Sequence, residues 1–228
     1  MTESITSSFG GDITHAQSLW VGAEVGTDAV VRGSTAEFEA SNHTYRGRAF
    51  SVEPDASAAS YWFASTALGV PVVVNGLPDD SIQGDAKFAA VVRDAKSGGT
   101  YDFSDISDTA QTMAAVAVYA DSPTTVTGVE HMRHKECDRV SAVVTELRKL
   151  GIQCDEHTDG YTIYPGTPVC REPVETYDDH RMAMSFALLG LKTPGIVIKA
   201  PDCVNKTYPR FWDDWAKVTG KPVRRFTL

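Results

Sequence analysis

Three short runs in this sequence hold the residues best suited to gripping a small anion: Arg133-His-Lys135-Glu136-Cys-Asp-Arg139, Tyr177-Asp178-Asp179-His180-Arg181 and Asn205-Lys206-Thr207. Each sets Lys or Arg at or just before the expected start of a helix. Helix stability does not favour that placement, because the free N–H groups of a helix N-terminus already carry partial positive charge. A phosphate or carboxylate would be held well there, by N–H groups and by point or bidentate cations together. Any one of these cations, taken singly, reads equally well as solvated surface. Three clusters at matching places read as a face for an anionic ligand.

The matching places follow from an internal repeat. Asp55, Asp108 and Asp179 each lead into a run of small and apolar residues at helical spacing, with the aspartate placed as an N-cap. A β-rich run follows each time, at Val70 to Val74, Thr124 to Thr127 and Gly195 to Lys199. A second helix is expected from Asp85, from Asp138 and near Thr207, which gives first-to-second helix spacings of 30, 30 and 28 residues. In the middle repeat a hairpin is expected next, with Gly151 to Asp155 and Tyr161 to Tyr164 joined around the turn dipeptide Asp159-Gly160. Equivalent helices of a repeat point the same way, so their N-termini gather on one face. In the first repeat the corresponding Ser81-Ile-Gln83-Gly84-Asp85 has no cation and reads as a tight turn and cap. Residues 12 to 32 resemble a second helix plus hairpin whose front half is absent, and Ser34 to Asn42 read as a polar connection. The expected organisation is a small piece over 1–51, the end of a preceding domain, and an α/β domain of about three units over 52–228.

Bulk properties narrow the partners. The chain has 228 residues and a net charge of −9, from 21 basic and 30 acidic residues, which disfavours nucleic acid and anionic membrane as partners. The sequence shows neither an apolar run of spanning length nor a basic, apolar leader, so the expected setting is the cytoplasm. Cys137, Cys154, Cys170 and Cys203 are too widely spaced for a CxxC metal or redox motif, and no metal is expected.

The anion-face residues also carry a family resemblance. Glu53-Pro-Asp-Ala-Ser-Ala-Ala-Ser-Tyr, Ser81-Ile-Gln-Gly-Asp, Arg133-His-Lys-Glu-Cys-Asp-Arg, Thr145-Glu-Leu-Arg-Lys-Leu-Gly, Tyr177-Asp-Asp-His-Arg-Met-Ala-Met and Lys206-Thr-Tyr-Pro are similar to signature segments of the 5-enolpyruvylshikimate-3-phosphate synthases. They stand in the family's order, and the resemblance runs from about Asp12 to Val218. It implies an inside-out α/β fold of repeated βαβαββ units, of which this chain holds essentially one of the family's two domains. It implies transfer of the enolpyruvyl group of phosphoenolpyruvate to the 5-hydroxyl of shikimate 3-phosphate with release of phosphate, in aromatic amino acid biosynthesis, without a cofactor. Asp108 would take the 5-hydroxyl proton, and Glu136 would move a proton at the methylene carbon. Lys135 would contact shikimate 3-phosphate, while Arg139, Arg181 and Lys206 would hold phosphoenolpyruvate. Asp179 would line the same site with His180 beside it.

The family pattern is not complete here. Its first domain supplies a Lys-Ser pair, further arginines and a Ser-Ser-Gln segment that this sequence lacks. Ser7-Ser-Phe-Gly-Gly-Asp-Ile-Thr also stands where the family has a tyrosine that would meet the shikimate ring. The chain is therefore expected to supply the C-terminal part of a site closed by a complementary N-terminal domain or by self-association. Two alternatives stand beside this: a non-catalytic half that serves as a binding module, and the related UDP-N-acetylglucosamine enolpyruvyl transferase.

Overall fold

The computed structural model describes residues 5, 7, 8, 13–23, 30–40, 49 and 51–225. The chain divides into two units, Met1–Val52 and Glu53–Leu228. In the first, β1 (Ile13–Ala23) and β2 (Val30–Ala40) pair antiparallel, Ile13 opposite Ala40 and Ala23 opposite Val30. The helix expected over the start of this stretch is absent, and β2 runs through most of the expected polar connection. Val, Ile, Thr and Trp favour a pleated ladder, and Gly22 and Gly33 each cost a helix about 1 kcal/mol, so pairing wins over coiling. The stretch read against the family tyrosine, Phe9 to Asp12, lies outside the described residues.

The second unit is built around its middle repeat, which forms a complete βαβαββ sequence. It runs β3 (Gly99–Asp102), α3 (Ala110–Ala117), β4 (Thr124–Thr127), α4 (Arg139–Lys149), β5 (Cys154–His157) and β6 (Gly160–Ile163). The sheet order is β3-β4-β6-β5, with β3 parallel to β4 and the other pairs antiparallel. The hairpin turn falls on Thr158 and Asp159, and Gly160 already opens β6. Its glycine is required by close approach rather than by a positive φ, since a Cβ there would overlap the Val126 carbonyl.

The first repeat contributes α1 (Ala56–Ala67), a 3-10 turn (Gly84–Lys87) and α2 (Phe88–Asp94). The third contributes α5 (His180–Ala187), a 3-10 turn (Pro201–Lys206) and α6 (Phe211–Thr219). Two expected strands shrink. Val70 to Val74 form no ladder; Pro71 has no N–H, and the Val70 and Val72 amides bond to Ser65 O and Thr66 Oγ1 instead. Over Gly195 to Lys199 only Ile198 pairs, in a parallel bridge to Val174 that echoes the β3–β4 pairing of the middle repeat. The helix expected near Thr207 begins at Phe211, because Tyr208 precedes Pro209 and is thereby steered away from helical φ/ψ.

The helices α1, α3 and α5 meet through small side chains. At their centre the Ser60, Thr112 and Ser185 hydroxyls are fully buried and form a chain, 3.1 Å and 3.4 Å apart. Phe211 of α6 closes the third repeat on the first, its ring edge-on to Tyr61 at 5.8 Å and tilted over Trp62 at 6.0 Å. This common packing turns the helix starts to one face. Among the described residues no helix is long and apolar enough to cross a membrane.

Candidate functional site

Each charged side chain of the site is delivered by a local device. Asp138 caps α4 by accepting from the Ser141 amide (2.9 Å), which fixes Arg139 as the first helical residue. Arg133, part of the same sequence cluster, points elsewhere. It binds Asp138, Glu156 and the Thr158 and His157 carbonyls, and so moors the 3-10 turn Glu130–His134 to the hairpin. That mooring leaves Lys135 and Glu136 on the loop before α4. Asp179 caps α5 by accepting from the Arg181 amide (2.8 Å). The two residues before it, Tyr177 and Asp178, hold left-handed φ values of 53° and 57°. Such backbone costs of order 1–3 kcal/mol per residue and persists only where neighbours over-determine it. Lys206 ends the 3-10 turn Pro201–Lys206.

Asp108 departs from its expected role as a cap. The chain makes a 3-10 turn (Ser107–Thr109) before α3, and no side chain caps that helix. The Asp108 carboxylate instead receives Lys135 Nζ at 2.5 Å, Arg181 Nη2 at 2.9 Å and Arg139 Nη1 at 3.3 Å. Glu136 receives Lys206 Nζ at 2.5 Å and Arg139 Nη2 at 2.6 Å. Asp179 receives Arg139 Nε at 2.7 Å, with both partners fully buried. Seven of the eight sequence-selected residues thus share one network, four cations threaded through three carboxylates. His180 adjoins it, Nδ1 lying 3.7 Å from Asp179 Oδ1, and is itself buried with Nδ1 lacking a hydrogen-bond partner.

The electrostatics follow from this threading. Burial alone would raise the Glu136 carboxyl, but Lys206 and Arg139 outweigh it and hold it at about 2. Burial is likewise opposed at Asp108, where Arg181 and Lys135 pull the carboxyl below its ordinary value. Burial, reinforced by the Arg181 charge, lowers the His180 imidazole, so at neutral pH it is uncharged. Glu136, Asp108 and Lys135 are the partly exposed members, each roughly a third open to solvent, and Lys206 is more than half exposed. Lys206, Lys135 and the edge of Arg181 are the outermost cations of the network, with Arg139 anchored beneath. Among the described residues no group of three or more His, Cys, Asp or Glu side chains could hold a metal ion.

The family model described as EPSP synthase (3-phosphoshikimate 1-carboxyvinyltransferase) matches residues 1–215. This chain belongs to the EPSP synthase family. Among curated relatives, the 3-phosphoshikimate 1-carboxyvinyltransferase of Trichormus variabilis is 44% identical over 196 residues, 78% of this chain and 46% of that protein. The enzyme of the same name from Methanosphaerula palustris is 44% identical over 188 residues, 74% of this chain and 44% of that protein. The chain spans about half the length of the curated relatives it matches. A solved EPSP synthase from Acinetobacter baumannii superposes with a TM-score of 0.70 at 20% identity, over 95% of this chain and 54% of that one. That likeness shows the EPSP synthase fold.

Three residues around the site escaped the sequence reading. Asp85, expected in a tight turn and cap, accepts a hydrogen bond from Ser57 Oγ and lies near enough to Asp108 and Arg181 to feel both charges. Tyr61 of α1 is fully buried with its hydroxyl beside Arg181. Glu146 of α4 is buried as well, and its signal was present in the sequence: a carboxylate on the same helical face as Val143, Leu147 and Leu150.

Proposed function

We propose that this chain supplies the C-terminal part of a site that transfers the enolpyruvyl group of phosphoenolpyruvate to the 5-hydroxyl of shikimate 3-phosphate. The observation that carries the reading is the convergence of four cations from three chain segments on two carboxylates, Asp108 and Glu136, that sit at the exposed side of the network. Phosphoenolpyruvate brings a phosphate and a planar carboxylate. Arg139 and Arg181 suit the planar group bidentately, and Lys206 serves the phosphate as a point charge. Lys135 takes the phosphate of the second substrate.

In this reading the anionic ligand exchanges places with the carboxylates. Once phosphoenolpyruvate draws Lys206 and Arg139 away, Glu136 loses the charges that keep it ionised, and its pKa rises toward a value at which it can carry a proton. It then donates that proton to the methylene carbon while the 5-hydroxyl oxygen bonds to C2 and gives its own proton to Asp108. Loss of phosphate from C2, with return of the methylene proton to Glu136, leaves the enol ether. Two carboxylates divide the acid and base tasks. The remaining contacts to both substrates come, in this proposal, from a complementary N-terminal domain or a second copy. Closure around the ligands excludes water.

The test is phosphate release from phosphoenolpyruvate and shikimate 3-phosphate, measured with this chain alone and with the N-terminal domain of a relative added. Activity that appears on mixing and is lost in Lys206→Ala is the expected result. Activity that survives Lys206→Ala sinks the site assignment, and silence in every mixture favours the non-catalytic alternative.

A further inference from the structure

Glu146 belongs to a signature segment, Thr145 to Gly151, for which neither the ion network nor the proposed chemistry finds a use. It is a carboxylate buried to 1% exposure on the inner face of α4. Its oxygens accept from Tyr177 Oη at 2.7 Å, Lys149 Nζ at 2.8 Å and the Glu175 amide at 3.0 Å. Two of these three partners lie on the strand-like approach to α5. That approach ends in the left-handed pair Tyr177–Asp178, immediately before Asp179, His180 and Arg181.

We propose that Glu146 is a positioning residue which holds the Tyr177–Asp178 turn in its left-handed form and thereby aims Asp179 and Arg181 into the anion site. The geometry is a two-point clasp. Arg139 and Glu146 stand seven residues, about two turns, apart on one face of α4, both buried. Arg139 grips Asp179 at one point, and Glu146 grips Tyr177 and the Glu175 amide at the other. A single contact would leave the segment free to pivot; two fix its direction. Asp visits the left-handed region on occasion, but Tyr does not do so without strain, so at Tyr177 the turn reverts to a relaxed backbone unless something holds it. The Tyr177 hydroxyl bond to Glu146 supplies that hold. Burial, with the bond to Glu146, pushes the Tyr177 hydroxyl above its ordinary range, so it stays protonated and donating throughout the neutral region.

The ligand half of this inference rests on the proposed phosphoenolpyruvate site; the conformational half does not, and the experiment separates them. Tyr177→Phe keeps the ring and removes the hydroxyl alone. Amide hydrogen exchange on the full chain then reads the turn directly, because the Asp179 amide bonds the Thr176 carbonyl and the Arg181 amide bonds Asp179 Oδ1, each at 2.8 Å. The expected result is about tenfold faster exchange at these two amides. Gly166, whose amide bonds Val118, should stay unchanged. Unaltered exchange at Asp179 and Arg181, or an equal acceleration at Gly166, overturns the clasp. Titration with phosphoenolpyruvate should in addition show about fivefold weaker binding in Tyr177→Phe than in the parent. Equal binding by both, with altered exchange, overturns the aiming role. A parent chain that binds no phosphoenolpyruvate even with the N-terminal domain of a relative added overturns the proposed function and leaves the clasp to the exchange result.

Discussion

The first repeat and the third use the same device and reach opposite ends. Asp55 caps α1 and Asp179 caps α5, each through its side-chain carboxylate. Among the described residues neither Asp55 nor Glu53 pairs with a cation, and the polar groups beside them satisfy one another. Glu53 accepts from Ser81 Oγ at 2.6 Å and Gln83 Nε2 at 2.9 Å, and Gln83 Oε1 takes the Ala56 amide at 2.9 Å. Two sequence signatures, Glu53 to Tyr61 and Ser81 to Asp85, are thus bound to each other. Around Asp179 the partner is Arg139, itself shared with Asp108 and Glu136. A lattice of neutral donors closes a turn and has nothing left to offer a ligand. A lattice of cations and carboxylates holds the same shape, yet its cations can be handed to an incoming anion. One scaffold position therefore yields a structural joint in the first repeat and, in the proposed reading, an anion site in the others.

The largest expected effect tests whether Asp179 is more than a cap. Removing one member of a buried ion pair leaves the other charge without compensation, so Asp179→Ala should lower stability by about 3 kcal/mol or somewhat more. The lower end of the usual range applies because Glu136 and Asp108 still face Arg139. Urea unfolding measures it. A loss of only about 1 kcal/mol would reduce Asp179 to an ordinary cap and erase the contrast with Asp55.

Titration sharpens the contrast through its sign. Glu136 is held at about 2 against an ordinary value of 4.5. A depressed carboxyl stabilises the fold above the unfolded value, so this contribution is complete above about 4.5 and is lost as pH falls toward 2. Asp85 of the first repeat goes the other way. Burial outweighs its bond from Ser57 and raises its carboxyl above 3.8. Its contribution is therefore present below 3.8 and lost as pH rises through the elevated folded value. At neutral pH, Glu136→Gln should destabilise the chain and flatten the acid limb of its stability curve. Asp85→Asn should stabilise or be neutral, because an amide oxygen still accepts from Ser57. Thermal melts from pH 3 to pH 7 decide it, and parallel curves for the two variants would refute the assignment.

What the sequence showed and what it hid divide along the same physical line. Local chemistry was legible: aspartates before Ala-rich runs, cations where helix dipoles oppose them, and a complete middle repeat whose strands find partners nearby. The outcome was hidden wherever pairing at a distance decided it. Val70 to Val74 have the composition of a strand, but Pro71 and the Thr66 side chain divert the backbone bonds. Asp108 looks like Asp55 and Asp179 in sequence, and only the approach of Lys135, Arg139 and Arg181 draws it out of the cap. Residues 13 to 23 resemble the repeat's second helix by position, yet their strand propensity decides their fold. Glu146 needed a partner 31 residues away to give it meaning.

The smallest effect belongs to Asp55, and it is the most useful control. Its Oδ1 accepts from the Ala58 amide at 3.1 Å, an exposed bond of ordinary length. Loss of such a cap costs about 1 kcal/mol, so Asp55→Ala should shift the urea midpoint slightly and leave phosphoenolpyruvate affinity at the parent value. The reason lies in how α1 is held. Ala56, Ala59 and Ala64 are buried against the other helices, and the Ser60 hydroxyl stays in the central chain with Thr112. These contacts hold the helix start without the cap, so Tyr61 keeps its place beside Arg181. A measurable fall in anion affinity would mean that loosening the first repeat reaches Arg181 after all. The neutral lattice would then be a working wall of the site, and the division between joint and site would move to include the first repeat.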